Sequence, residues 1–258
     1  MHFDKAAYKV AKERIIGLIK KSLPDWENTE GFIADGVICA NEYEQQPLRI
    51  LCILAETYGY DSCKMTCIET QPAADIMGVG NSVVMTPRKL ATLLWLLQRS
   101  IHSSSQVTWD EFYNLKLFRG NVENKDELQK TLSKVAWINV KKASQPRGTK
   151  MIPNEVYAHA VRNQAILREQ IQVIAPHLII VGGEVAFRAL LEMKLLGSEV
   201  KAGQKWKIQT VNGGPHVLEV SHPSLWRGYE KLYRHFENIY AQLPNTNGKP
   251  STNSSKTE

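Results

Sequence analysis

Three short, nearly continuous apolar runs stand out along the chain, at residues 49–55, 135–140 and 177–181. All three are rich in branched side chains. Strands of a parallel sheet that is covered by helices on both faces have this character. Residues 207–211 and 217–220, on either side of the turn at 212–215, predict one or two further strands.

The stretches between these runs carry a helical period of apolar residues. The longest pattern predicts one amphipathic helix over residues 153–175. Shorter patterns predict helices over residues 1–21, 87–102, 124–132, 184–196 and 225–243. Strands that alternate with helices indicate an α/β fold with a parallel, doubly wound sheet.

Two segments depart from this plan. Residues 70–134 predict an insertion that caps the sheet, shapes a lid or reads a substrate. Residues 245–258 contain no hydrophobic residue, which predicts a disordered tail. We therefore expect a single domain over residues 1–244 with a helical insertion at about 70–134.

The composition places weak limits on function. The chain has 258 residues, of which 43% are hydrophobic and 22% charged, and its net charge is +6. This excess of positive charge favours a polyanionic partner, or simply gives a solvated basic surface.

Cysteine usage and hydropathy indicate a soluble protein of a reducing, intracellular compartment such as a bacterial cytoplasm. Cys63 and Cys67 form a CxxxC pair, but no second pair completes a zinc site. The first residues do not resemble a signal peptide. The most apolar segment, residues 90–97, is too short to cross a bilayer.

Polar residues follow the ends of four predicted strands. Glu56 and Asp61 follow the first strand, Asn139 lies in the second, a Gly-Gly pair at Gly182 ends the third, and His222 ends the last. In a parallel sheet these ends meet at one edge, where ligands bind. Each residue alone also has a purely structural interpretation, as a turn, a cap or a hydrogen-bonded core group.

Taken in order, four stretches resemble the motifs of uracil-DNA glycosylases: ILCILAETYG, VAWINVKKAS, PHLIIVGGEVAFRALL and LEVSHPSLWRG. The resemblance spans about residues 48–240. It implies a four-stranded parallel sheet flanked by helices. It also implies hydrolysis of the N-glycosidic bond of a base that is flipped out of DNA.

The resemblance assigns roles to the matching residues. His222 corresponds to the histidine that donates a hydrogen bond to the pyrimidine O2, and Asn139 to the asparagine that reads the edge of the base. Thr57 stands where the family has an aspartate or asparagine that orients water. Threonine is a poor general base, so Glu56, and less so Asp61, is expected to activate water.

The rest of the first motif bears on substrate size. Tyr58 stands at the usual proline position and is expected to stack on the base. Gly59 stands where one branch has a tyrosine that blocks substituents at C5 of the pyrimidine. The resulting space would admit bulky modified pyrimidines, unless Tyr58, Tyr60 or the insertion refills it.

A further departure concerns cofactors. Thermophilic branches carry four cysteines that bind an iron–sulfur cluster, one of them soon after the asparagine strand. Residues 141–145 contain no cysteine, and none follows Cys67. We therefore expect no cofactor and no metal.

DNA contacts are expected from the same loops. Leu225 or Trp226 would enter the duplex beside Ser224, although Trp226 suits core packing equally. Phosphates would be bound by Arg227, by the backbone at Gly182 and by a basic loop. That loop contains Lys141, Lys142, Arg147 and Lys150.

The sequence thus predicts a monomeric, monofunctional DNA glycosylase that acts on an altered pyrimidine. A substrate with a large C5 group, such as glucosylated hydroxymethylcytosine in phage DNA, would indicate a role in antiviral defence. Repair of uracil or deaminated bases is the alternative within the same enzyme class. A catalytically inactive reader of modified or single-stranded DNA is the alternative from another class.

Overall fold

A mixed, six-stranded sheet forms the centre of the protein. The computed structural model describes residues 2–22, 35–55, 85–115, 125–142 and 150–243. Four parallel strands occupy the middle of the sheet in the order β3-β2-β4-β6. They are β2 (Ile50–Leu54), β3 (Ala136–Asn139), β4 (Leu178–Gly182) and β6 (His216–Val220). The predicted parallel strands are therefore confirmed.

Two short antiparallel strands flank these four and correct the prediction of a four-stranded, purely parallel sheet. β1 (Gly36–Val37) pairs with β3, and β5 (Ile208–Gln209) pairs with β6. A two-residue strand is too short to show a hydrophobic period, so nothing in the sequence signals β1. The strand predicted over residues 207–211 is reduced to the two residues that reach β6.

The helices largely follow the predicted pattern. They are α1 (Lys5–Ser22), α2 (Ala40–Glu44), α3 (Met85–Ser103), α4 (Trp109–Leu115), α5 (Lys125–Ser133), α6 (Pro153–Arg162), α7 (Gln164–Ile174), α8 (Glu184–Glu192) and α9 (Tyr229–Gln242).

Three predicted helices differ from the structure. The helix expected over residues 184–196 ends at Glu192. The helix expected over residues 153–175 is divided at the buried Asn163, whose φ of −105° and ψ of 17° are not helical. The helix expected from residue 225 begins only at Tyr229. Pro223–Leu225 forms a separate 3-10 turn, and Gly228, with φ of +79°, precedes α9.

Two apolar layers cover the two faces of the sheet. Side chains of α3, α5 and α9, among them Leu94, Leu132 and Phe236, pack on one face. Side chains of α1, α6, α7 and α8, among them Ile171 and Phe187, pack on the other. Three helices between residues 70 and 134, α3, α4 and α5, thus contribute side chains to a core layer. None of the described helices is long and apolar enough to cross a bilayer.

We predict that Leu94→Ala lowers the free energy of unfolding of the whole domain by about 2–5 kcal/mol, because it leaves a cavity under α3. Leu94 is fully buried in the core layer. Urea unfolding followed by circular dichroism measures this loss. Leu18→Ala, at an exposed position of α1, is the control and should change the free energy by about 0.5 kcal/mol at most. Equal effects would contradict a core role for α3.

Candidate functional site

The ends of the four parallel strands lie in one row at the carboxyl edge of the sheet. Leu54 is in register with Asn139 on one side and with Gly182 on the other, and Gly182 is in register with Val220. Three interstrand steps of about 4.8 Å separate β3 from β6, so about 14 Å lies between the Asn139 and Val220 backbones.

His222 begins the 3-10 turn that follows β6, and its imidazole is held by that turn. Its Nδ1 accepts a hydrogen bond from the backbone N–H of Ser224 at 3.3 Å and lies 2.7 Å from the Ser224 hydroxyl. A ring nitrogen that accepts from a backbone N–H carries no proton, so the proton of the neutral ring is on Nε2. The turn therefore presents His222 as an Nε2–H donor.

Two glycines at the end of β4, Gly182 and Gly183, pack against this turn. A Cβ atom on Gly182 would lie 2.5 Å from Leu54 Cδ2 and 3.2 Å from Pro223 Cδ. Gly183 has φ of +103°, and a Cβ there would touch the His222 side chain at 3.5 Å. Gly182 thus lacks space for a Cβ atom, and the left-handed φ of Gly183 favours glycine there. This packing role is distinct from the predicted anion binding at Gly182.

Lys89 of α3 reaches the same turn from the insertion. Its ammonium donates to the backbone carbonyl of Ser224 at 3.0 Å, and its side chain is buried. Burial lowers the pKa of His222, and the charge of Lys89 lowers it further. His222 is therefore neutral at pH 7, in the protonation state that the Ser224 contact requires.

At the other end of the row, Asn139 belongs to a buried polar cluster around Asp35. The Asn139 backbone N–H donates to Asp35 Oδ2 at 2.6 Å, and the side-chain Nδ2 lies 3.4 Å from the same oxygen. The buried Asn139 Oδ1 accepts no hydrogen bond within the described part of the chain. Asn139 Oδ1 is thus a buried acceptor that has no partner among the described residues.

Lys142 completes this cluster and does not lie on the surface. Its ammonium donates to Asp35 Oδ1 at 2.6 Å, and both side chains are fully buried. Burial lowers the pKa of Lys142, while Asp35 opposes this shift. Gln170 of α7 also donates to Asp35 Oδ1, at 3.2 Å. The predicted phosphate contact is corrected for Lys142, because a cation enclosed in an ion pair cannot reach DNA.

Lys141 is corrected in the same way. Only 4% of the residue is exposed, and its ammonium lies 2.5 Å from Glu155 Oε2. The two lysines look like a solvated pair in the sequence because a charge pattern does not reveal burial. Lys150, at the end of the predicted basic loop, is exposed.

The turn after His222 separates the two proposed DNA-inserting side chains. Leu225 is 67% exposed, whereas Trp226 is 5% exposed and packs in the core layer of α3 and α9. Trp226 is therefore a core residue, and Leu225 alone has the exposure that insertion requires. Ser224 and Arg227 are exposed beside it.

The remaining predicted residues lie outside the described residues. They are Glu56, Thr57, Tyr58, Gly59, Asp61 and Arg147.

Sequence reasoning missed three residues of this region: Asp35, Lys89 and Gln170. Asp35 lies next to a strand of only two residues, and Gln170 is one polar residue within a helical pattern. Lys89 belongs to the insertion, which no motif connects to His222. Only the structure brings these residues to the strand ends.

No model of a known protein family matches the chain, and no curated protein sequence matches it. Evidence for function therefore comes from the sequence motifs and from the arrangement of side chains at the sheet edge.

We predict that Lys89→Met raises the pKa of His222 toward the usual imidazole value, because it removes a neighbouring positive charge. In the unaltered protein the imidazole should titrate below about 6.5. Nitrogen chemical shifts measured by NMR across the titration report both the pKa and the Nε2–H tautomer. Lys130→Met, at an exposed position of α5, should change neither. An Nδ1–H tautomer at neutral pH would contradict the geometry of the turn.

We predict that Asp35→Ala lowers the free energy of unfolding by about 3–5 kcal/mol, because it leaves the Lys142 charge buried without its partner. Chemical denaturation measures the loss. The control is Glu230→Ala, which removes the partner of Arg234 from an exposed ion pair on α9. That change should cost no more than about 0.5 kcal/mol. A similar loss of unfolding free energy in both variants would show that the buried pair contributes no more to stability than an exposed one.

Proposed function

We propose that the chain is a monofunctional DNA glycosylase that releases an altered pyrimidine from DNA and leaves an abasic site. The observation that supports this most directly is the common row of strand ends. One end bears Asn139 with an available acceptor, and the turn after the other end bears a neutral His222 that donates through Nε2.

His222 suits the bond-breaking step. When the bond between the sugar C1′ and the base nitrogen breaks, its electron pair moves onto the base and negative charge develops at O2. A positioned N–H donor lowers the barrier because it interacts most strongly where charge develops. Water adds to C1′, and its proton balances the charge on the departing base.

Asn139 suits the recognition of the base. Asp35 lies beside its Nδ2, so the amide presents Oδ1 as an acceptor. The amino group of cytosine and the N3–H of uracil can each donate a hydrogen bond to this oxygen. Asn139 is therefore compatible with a cytosine-type and with a uracil-type substrate.

The choice between these substrates rests on the first motif. Gly59 stands where one branch of the family has a tyrosine that blocks C5 of the pyrimidine. Its small size favours a base with a bulky C5 modification, such as the glucosylated hydroxymethyl group of phage DNA. Such a substrate would give the protein a role in defence. Glu56 is the proposed water-activating residue, with Asp61 as the alternative. Repair of uracil or deaminated bases remains the alternative activity.

Binding to DNA is proposed to centre on the turn after β6. Leu225 would fill the space that the flipped base leaves in the duplex, and Arg227 would contact a phosphate. The exposure of both side chains supports this assignment. Lys141 and Lys142 have no part in it, because they are buried, and Trp226 is too buried to insert into the duplex.

We predict that His222→Ala lowers the rate of base release about 10²- to 10³-fold, as expected for the loss of one donor to the leaving group. Single-turnover assays use oligonucleotides that carry uracil, hypoxanthine, a thymine mismatch, hydroxymethylcytosine or its glucosylated form. Alkali cleavage of abasic sites is the readout. His216→Ala is the control, because His216 begins the same strand at the opposite end and should leave the rate unchanged.

The same assays test the alternatives. Glu56→Ala should also abolish release while binding to the oligonucleotide persists. Binding of one altered base, without release by the unaltered protein, would identify a reader of modified DNA. Absence of abasic sites with every substrate would refute the enzymatic proposal.

A further inference from the structure

A pocket lies on the 3-10 turn, beside the row of strand ends. Its volume is about 250 Å³, and its lining includes Trp206, Leu225, Trp226, Arg227, Lys231 and His235. Asn139, Gly182 and His222 do not line it. It is thus separate from the proposed site of base release, although Leu225 and Ser221 connect the two along the chain.

Aromatic rings form the walls of this pocket. Trp206 stacks on His235 with ring centres 3.8 Å apart and an angle of 4° between the rings. Trp226 lies 5.3 Å from Trp206 at an angle of 54°. The Trp226 indole N–H donates to the Ser221 carbonyl at 2.8 Å, which fixes the orientation of that ring. The walls are therefore already in place before a ligand binds.

Trp206 is held in a strained backbone conformation. Its φ is +64°, a left-handed value that is strained for a bulky residue. Its N–H donates to Glu219 O at 2.8 Å, and its carbonyl accepts from Asn238 Nδ2 at 2.8 Å and from Gln242 Nε2 at 3.3 Å. These bonds maintain the strain and keep the indole against the pocket. Strain of this kind is concentrated at ligand sites.

Two cations lie at the rim. Arg227 and Lys231 are exposed, and neither forms an ion pair with another residue in the described ranges. Arg234, on the same helix as Lys231, is by contrast paired with Glu230. The rim thus offers two positive charges beside a set of aromatic rings.

We infer that this pocket binds one unpaired nucleotide of a DNA strand, next to the nucleotide whose base is released. The base packs against the half-buried Trp206, beside the small part of Trp226 that lines the pocket, and the phosphate lies between Arg227 and Lys231. Aromatic walls combined with cations are the features by which proteins bind single-stranded nucleic acid without sequence preference. A neutral sugar has no negative charge with which Arg227 and Lys231 could pair. The inference rests on the proposed function in taking DNA as the polymer and in placing this nucleotide next to the one whose base is released.

Binding is tested with the full chain and a short single-stranded oligonucleotide of unaltered bases that carries one 2-aminopurine. The fluorescence of 2-aminopurine falls when it stacks on an aromatic ring, so the unaltered protein should quench it. Lys231→Gln should weaken binding several-fold and reduce the slope of log affinity against log salt by about 0.7, the value for one phosphate contact on a single strand. Lys201→Gln, an exposed lysine outside the pocket, is the charge-matched control. Trp206→Leu should abolish the quenching.

Equal affinity and salt slope for Lys231→Gln and Lys201→Gln would overturn the inference, as would quenching that survives in Trp206→Leu. If Trp206→Leu does not fold, the comparison of Lys231→Gln with Lys201→Gln decides whether the pocket binds the strand. Pocket binding without base release from any altered oligonucleotide would refute the proposed function and keep this site. Base release together with unchanged binding by Lys231→Gln would refute this site alone.

Discussion

The buried carboxylate of Asp35 is the interaction on which one half of the candidate site depends. A charge without solvent must be paired, and here it is paired with the ammonium of Lys142 and bonded by the Asn139 backbone N–H and by Gln170. These partners come from β3, from the residues after it and from α7. By satisfying one carboxylate, the chain fixes the end of β3 and the direction in which the Asn139 amide points.

Steric contact holds the other half of the site. His222 is positioned because the turn that bears it packs on two glycines, and because its own Nδ1 bonds to Ser224. Within the described ranges, burial and the charge of Lys89 lower the pKa of His222, and no carboxylate shifts it. At one end of the row, the buried Asp35 carboxylate lies beside the Nδ2 group of Asn139, which leaves Oδ1 as the acceptor. At the other end, burial and the charge of Lys89 keep His222 neutral, as an N–H donor.

The sequence predicts the central sheet well because buried parallel strands must be apolar on both faces, and few other structures impose that pattern. It predicts the positions of Asn139 and His222 because they end such strands. Burial of individual polar side chains has no comparable signal. The adjacent lysines Lys141 and Lys142 look solvated, and the partner of Lys142 lies 107 residues away. The break at Asn163 is equally hidden, since asparagine interrupts some helices and not others.

The placement of α3 couples the opening of the core to the geometry at His222. This helix supplies much of one apolar layer, and through Lys89 it also holds the turn that carries His222. A local opening that moves α3 away from the sheet therefore exposes that apolar layer and releases the turn in the same event. His222 keeps its position only while this layer of the core is closed.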